Sequence, residues 1–421
     1  MTVHVAIERI LSSVAPLDVE EVPLDRALGR ILARPIVATV DQPLWDNSGM
    51  DGFAVRGDDI KGASASTPRS LRIVESIAAG EFASKRVEPG QAIGIMTGAP
   101  IPDGADCVVR VEHTRDAGAD RVEIVEDGDV GRNIRPKGED VRRGETVLEP
   151  GRALRPGEIG VLAMLGHGRA PVHRRPRVGI LATGDELVDV DGFAEVEAGR
   201  RIVNSNSYAL DAAVRAVGGD PVQLGIAIDD VDAVLARLER IDTLDALLTT
   251  AGASVGEHDL VKDALERIGM RTLFWRVRMR PGSPFSFGLI PRPGSADLPV
   301  FGLPGNPVSA VVTFEVLGKP ALRRMTGRSK VHAATRTVRI AERIGSKAGL
   351  VRFLRVHLDR DGDGGWSARL TGEQGSGMLT SVARADALLV VPLDASGYEE
   401  GESAVVLVLD PPDPAADAPG F

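Results

Sequence analysis

Residues 176–187 read PRVGILATGDEL, and this run decides the fold. Residues 178–182 are continuously apolar and run into the turn Thr183-Gly184-Asp185-Glu186, the pattern of a strand buried on both faces. The same alternation repeats downstream. Leu210, Ala213, Val214 and Val217 stand at i, i+3, i+4 and i+7 and predict a helix, and QLGIAI (223–228) predicts the next strand. Val231, Val234, Leu235 and Leu238 repeat the helical spacing before the strand DALLTTAG (245–252). Val261, Ala264, Leu265 and Ile268 repeat it again, and LPVFGLPG (298–305) leads into VSAVVTFEVLG (308–318). Strands alternating with helices in this way predict a three-layer α/β/α domain over 174–328, with a parallel-type sheet covered on both faces.

Outward from this centre the periods change. Beyond 329 the helical spacing disappears, and TRTVRIA, RFLRVHL, WSARL, ALLVVPL and AVVLVL predict a small C-terminal β-barrel-like domain over 329–410. The acidic, proline-rich residues 411–421 are expected to be disordered. Towards the N-terminus, SLRIVESI, QAIGIMTGAPIP, DCVVRVEHT and RVEIVED are punctuated by Gly and Pro and predict a β-rich inserted domain over 45–133. Residues 4–14 predict a short helix with Val3, Ile7, Ile10, Leu11 and Val14 on one face, and 24–32 a second helix ending before Pro35. PGEIGVLAMLG (156–166) carries a helix-start proline and a helix-end glycine. Its segment, 134–173, is read as rejoining residues 1–44 in a small mixed α/β domain.

Composition excludes several functions. The 421 residues carry a net charge of −10 and only 4% aromatics, so there is neither the basic face nor the stacking platform of a nucleic-acid binder. Cys107 is the single cysteine, which rules out a disulfide framework or a thiolate metal cage within the chain. No run approaches ~18 apolar residues, so no membrane span is expected. The first residues, MTVHVAIERILSS, lack the order of a signal peptide, and a cytoplasmic location is expected.

In an open parallel sheet, ligands bind beyond the carboxyl ends of the strands. Three loops expected there are rich in small or polar residues: 183–186, 249–259 with Gly252, Ser254, Gly256 and Asp259, and 302–307 with Pro304, Gly305 and Asn306. Each alone is an ordinary turn composition. Together they form a candidate anion site, because small residues let backbone N–H groups approach a phosphate. Glu186 and Asp259, with Asp229 and Asp230 after QLGIAI, would repel a phosphate unless Mg²⁺ lay between them. No Walker loop and no GxGxxG fingerprint is present. In FWRVRMRPGSPF, alternation would place Arg276, Arg278 and Arg280 on one face of a strand, either as a solvated edge or as an oxyanion site. The loops 46–52 and 96–106 of the inserted domain are dense in turn formers and polar side chains.

DNSGMDGFAVR, IMTGAPIPDGADCVV, GRNIRPKGEDV, LATGDELV, GASVGEHDLVKD, RPGSPFSFG and FGLPGNPVSAVVTFE, in this order, resemble the molybdopterin molybdenumtransferase family, MoeA, shared with the gephyrin E domain. The resemblance implies an elongated four-domain homodimer with its site between subunits, and a molybdopterin-binding α/β domain. It implies a Mg²⁺-assisted reaction of adenylylated molybdopterin with molybdate that releases AMP, with the molybdopterin adenylyltransferase as a further partner. Carried over by residue, it assigns acidic roles to Glu186, Asp229 or Asp230, and Asp259. Asp51 and Thr97 would complete the partner's site. Arg280, Ser283 and Pro284 would bind molybdate, with Arg355 in RFLRV and Ser376 in GEQGSGML as further oxyanion contacts. Three positions depart from the family's pattern: Arg280 and Ser283 stand where lysines are usual, and Ala251-Gly252-Ala253-Ser254 replaces a glycine-richer run. These departures keep open a non-catalytic pterin-binding scaffold, or a paralogue with altered oxyanion preference. A weaker reading is an adenylyltransferase, although no feature demands ATP.

Overall fold

A computed structural model describes residues 1–250, 260–360 and 364–409. The chain divides into two compact units: 1–33 with 150–156 and 169–421, and 34–149 with 157–168. Among the described residues, no helix is long and apolar enough to cross a membrane.

The first unit opens with α1 (Val3–Ser12), started by Thr2, whose hydroxyl accepts from the Val5 N–H. Of its predicted apolar face, Ile10 and Val14 are buried in the core of the central sheet beside Ala6, and Val3 and Ile7 pack against it partly buried. That sheet begins with β1 (Arg177–Thr183), which contains the apolar run 178–182. It continues through α2 (Ser205–Ala216), β2 (Asp220–Ala227), α3 (Val231–Arg237), β3 (Ala246–Thr250), α4 (Leu260–Arg267), β4 (Arg271–Trp275), β5 (Ser286–Ile290), β6 (Leu298–Leu303) and α5 (Pro307–Thr313). After its first residue, β1 is buried throughout, as its unbroken apolar run requires. On one face Leu210, Val214 and Val217 of the α2 region pack with α1 and α5; on the other, Val234, Leu238, Val261, Ala264 and Leu265 form a second cluster. The result is three layers.

The strand order is β2-β1-β3-β6-β5-β4. The first four strands are parallel, whereas β5 lies antiparallel to both β6 and β4, so the sheet is mixed at that edge rather than parallel throughout. Because β1 is flanked by β2 and β3, the loops after β1 and β3 splay to opposite sides, the topological switch point where open α/β sheets bind ligands. Two expectations fail. Residues 24–32 form only the short turn Leu24–Arg26: Gly29 takes φ +73°, and the N–H groups of Gly29 and Leu32 bond the carbonyls of Leu154 and Arg152. An apolar spacing suited to a helix thus yields to bridge partners across the chain. The predicted strand through Arg276, Arg278 and Arg280 stops at Trp275, because Arg276 turns to φ +66° and its N–H bonds Phe285 O.

This break redirects the chain out of the central sheet and towards the barrel. Met279–Arg280 pairs with Val351–Arg360, outside the sheet that holds β4. The barrel comprises β7 (Thr335–Ile340), β8 (Val351–Arg360), β9 (Trp366–Leu370), β10 (Ala387–Val391) and β11 (Ser403–Val408), the five strands expected from sequence. The pairings β8–β9, β9–β7, β7–β11, β11–β10 and β10–β8 close it. Phe353 and Leu388 of the barrel share one apolar cluster with the central sheet. Val19–Pro23 pairs with Arg169–His173 in the same unit.

The second unit holds a six-stranded sheet in the order Cys107–Arg110, Gly52–Val55, Gln91–Ile95, Arg69–Ile77, Arg121–Ile124, Thr114–Asp116. Apolar clusters cover both faces, and the helix Pro156–Met164 starts at its predicted proline. Asp129 is fully buried, accepting from the backbone N–H and the guanidinium of Arg110. Burial alone would raise its carboxyl, but the Arg110 hydrogen bonds and charge outweigh that and hold it at about 2. The folded value lies below the unfolded one, so the stabilisation is complete above pH 3.8 and is lost as pH falls from 3.8 towards 2. Asp129→Asn is therefore expected to cost about 2 kcal/mol near neutrality, and the gap from the parent protein in chemical-denaturation midpoints should narrow below ~pH 4. A gap that stays constant through that range would exclude this origin.

Candidate functional site

Two groups of predicted residues gather in the first unit. The first lies at the carboxyl ends of β1 and β2. Thr183 is buried at the end of β1, and Gly184 comes next with φ +149°. A Cβ at 184 would stand 2.7 Å from the Glu186 carboxylate, so this glycine lets that side chain fold back over the turn. Asp185 Oδ1 accepts from the Asp229 N–H at 3.1 Å, which ties the β1 loop to the β2 loop. Partial desolvation, then the charges of Asp185 and Glu186, push the Asp229 carboxyl above the usual range. Asp230 serves differently: its carboxylate caps α3 by accepting from the Ala233 N–H at 2.9 Å. Among the described residues no three acidic, histidine or cysteine side chains are gathered as a ready metal cage. Gly252, Ser254, Gly256 and Asp259 lie outside the described residues.

The loop after β6 leads into α5, with Pro304 buried, Gly305 and Asn306 exposed, and Pro307 at the helix start. Asn206 Nδ2 donates to Gly305 O at 2.7 Å, and Val308 N–H donates to Ser376 O at 3.1 Å. That second bond joins this loop to the barrel loop carrying Ser376.

The second group is there. A cleft of about 620 Å³ is lined by Arg280, Ser283, Pro284, Arg355 and Ser376, all five residues expected to bind the oxyanion, drawn from the separate segments 280–284, 355 and 376. Its floor is tight: Gly282 has φ +94°, and a Cβ there would lie 2.0 Å from Thr313 Oγ1. Arg355 is 1% exposed. Its Nε donates to Ser381 Oγ at 3.0 Å and its Nη2 to Gly375 O at 3.2 Å, while its own N–H donates to Gln374 Oε1 at 2.8 Å. Burial lowers its pKa, and among the described residues it has no carboxylate partner. A buried guanidinium normally comes with a paired anion. The described lining also includes Ser309, Arg352 and Gln374, which sequence reasoning missed, and no carboxylate.

Of the three alternating arginines only Arg280 reaches the cleft. Arg276 stacks on the Trp275 ring at 4.3 Å, and Arg278 donates to Gly349 O. In the second unit, Asp51 Oδ1 accepts from the Thr97 N–H at 2.7 Å and from its hydroxyl at 2.9 Å, and these bonds hold the exposed Asp51 carboxyl below the usual range.

Comparison with known proteins covers nearly the whole chain. Residues 1–166 match the MoeA N-terminal region (domain I and II), 179–324 a probable molybdopterin binding domain, and 337–409 the MoeA C-terminal region (domain IV). A molybdopterin molybdenumtransferase of Nostoc sp. is 36% identical over 93% of this chain and 89% of that protein. One of Bacillus subtilis is 34% identical over 96% and 93%. The crystal structure of the molybdopterin biosynthesis moeA protein from Pyrococcus horikoshii OT3 superimposes with a TM-score of 0.83 at 30% identity, covering 97% of this chain and 100% of that one.

Proposed function

This chain belongs to the molybdopterin molybdenumtransferase (MoeA) family, its activity is the insertion of molybdenum into molybdopterin, and we propose that the arginine-lined cleft holds the metal as molybdate. The observation that carries the assignment is Arg355, a buried guanidinium with no carboxylate partner among the described residues, in a cleft that also presents Arg280. Guanidinium forks suit tetrahedral oxyanions, and the hydroxyls of Ser283 and Ser376 add short donors.

The pterin substrate, in its adenylylated form, is assigned to the neighbouring sheet edge. There the backbone of 183–186 and 302–307 faces its phosphates, and Thr183, Gly184, Pro304, Gly305 and Asn306 leave room for close approach. Glu186 and Asp229 would supply hard oxygen donors of the kind Mg²⁺ takes, since Mg²⁺ sites commonly use one or two carboxylates with substrate phosphates completing the shell. When bound, the ion would neutralise phosphate charge. The chain's own contribution is to hold oxyanion and pterin beside each other through the Val308–Ser376 bond, so that metal transfer and release of AMP are coupled by position. A cytoplasmic homodimer, with the exposed Asp51–Thr97 pair serving the other protomer and the molybdopterin adenylyltransferase supplying substrate, belongs to the same proposal.

The test is turnover. Purified protein given adenylylated molybdopterin, molybdate and Mg²⁺ is expected to release AMP only when molybdate is present. Pterin binding with no molybdate-dependent AMP would leave a scaffold and overturn the enzymatic reading.

A further inference from the structure

We propose that Arg352 is a direct ligand of the oxyanion, providing the second cationic side chain that Ser283 does not; the inference rests on the cleft being the molybdate site. Register is the first observation. Arg280 and Arg352 are partners across the pairing of Met279–Arg280 with β8, and both line the cleft. Like charges directly opposite on paired strands repel. The described cleft lining offers no carboxylate to relieve them.

The second observation is an unmet donor. Arg352 Nε is buried and has no hydrogen-bond partner among the described residues. Buried N–H groups are almost always satisfied, so Arg352, which lines the cleft, carries hydrogen-bonding capacity that the described residues do not use. Third, Arg355 alone cannot satisfy the four oxygens of a tetrahedral dianion. Two of its five N–H groups are given to Ser381 and Gly375, and the other three, on Nη1 and Nη2, have no protein acceptor among the described residues. A tetrahedral dianion therefore needs further donors. Arg280 and Arg352 are register partners, and both line the same cleft as Arg355 and residues 374–376.

Nothing in RFLRVHL distinguished Arg352 from a surface residue of an alternating strand; its role emerges from the register with Arg280. It is a binding residue with a specificity consequence. With three fixed guanidinium groups and no carboxylate, the cleft favours doubly over singly charged oxyanions.

The experiment is calorimetric titration of the full-length protein with sodium molybdate, alongside thermal melts with and without it. Arg352→Ala should weaken molybdate binding roughly ten- to a hundred-fold, the size of a lost charge-assisted contact. Its melting temperature without molybdate should hold or rise, because repulsion from Arg280 is relieved, while the molybdate-induced rise shrinks. Adding Ser283→Lys to Arg352→Ala should restore at least part of the affinity, which a merely structural role for Arg352 would not produce. If the parent protein binds molybdate and Arg352→Ala binds it equally well, this inference falls and the cleft assignment survives. If the parent protein takes up no molybdate, both fall. An Arg352→Ala protein that melts lower without oxyanion and is not rescued by Ser283→Lys also overturns the inference.

Discussion

Arg355→Ala is expected to reduce molybdenum insertion by several hundred-fold at low molybdate and to recover substantially at high molybdate. The guanidinium is 1% exposed, and its charged form is already disfavoured by burial, so the folded protein keeps it only at a cost. Two hydrogen bonds from a buried cation to a dianion are each worth about 1.5–3 kcal/mol, and together they give a loss on the order of 10²–10⁴ in affinity. Arg355→Lys keeps the charge but loses the planar fork and the bonds to Ser381 and Gly375, and should recover little of that loss. Folding is the rival explanation, since those two bonds also fix the 374–376 loop. The two accounts separate cleanly: relief of the buried charge offsets the lost bonds, so the molybdate-free melting temperature should move far less than the activity. A molybdate KM unchanged in Arg355→Ala would remove Arg355 from the binding site.

The architecture was largely legible because its signals are local. The apolar run 178–182 sits on a strand buried on both faces, and the i, i+3, i+4, i+7 sets at Leu210, Val231 and Val261 fall on α2, α3 and α4. The five short strands after 329 each appear in the barrel. What escaped depended on partners far along the chain. Residues 24–32 have helical apolar spacing, yet the carbonyls of Arg152 and Leu154 claim their N–H groups. The antiparallel β5 lies just after a proline-rich turn and has no periodicity long enough to stand out from it.

The oxyanion cleft shows the same division. Arg280, Ser283, Pro284, Arg355 and Ser376 could be named one by one through resemblance, but alternation misled for Arg276 and Arg278. Alternation assumes an unbroken strand; the left-handed Arg276 breaks it, and the chain then crosses to the barrel. That crossing places Arg280 beside Arg352, a pairing with no trace in local sequence. Ser309 and Gln374 were likewise unreadable, since one lies inside α5 and the other in a barrel loop, and only the folded cleft makes them neighbours.

Glu186→Gln and Asp229→Asn should each reduce molybdate-dependent AMP release on the order of 10²-fold, the effect expected from losing one carboxylate that would hold Mg²⁺ against the phosphate charge. Both sit at the switch-point edge, joined through the Asp185–Asp229 bond, and neither lines the arginine cleft. Their effect should therefore be separable from that of Arg355. Calorimetric molybdate affinity is expected to stay within about two-fold of the parent value, because separated sites with no shared partner behave additively. The Mg²⁺ concentration needed for half-maximal AMP release should instead rise in both variants, as each removes an anionic oxygen from the donor set. Asp230→Asn provides the contrast. Its carboxylate caps α3, so an asparagine, which caps about as well, should leave both AMP release and stability near those of the parent. Wild-type Mg²⁺ dependence in Glu186→Gln and Asp229→Asn, or a large loss in Asp230→Asn alone, would move the acidic role from Asp229 to its neighbour and require the sheet-edge assignment to be redrawn.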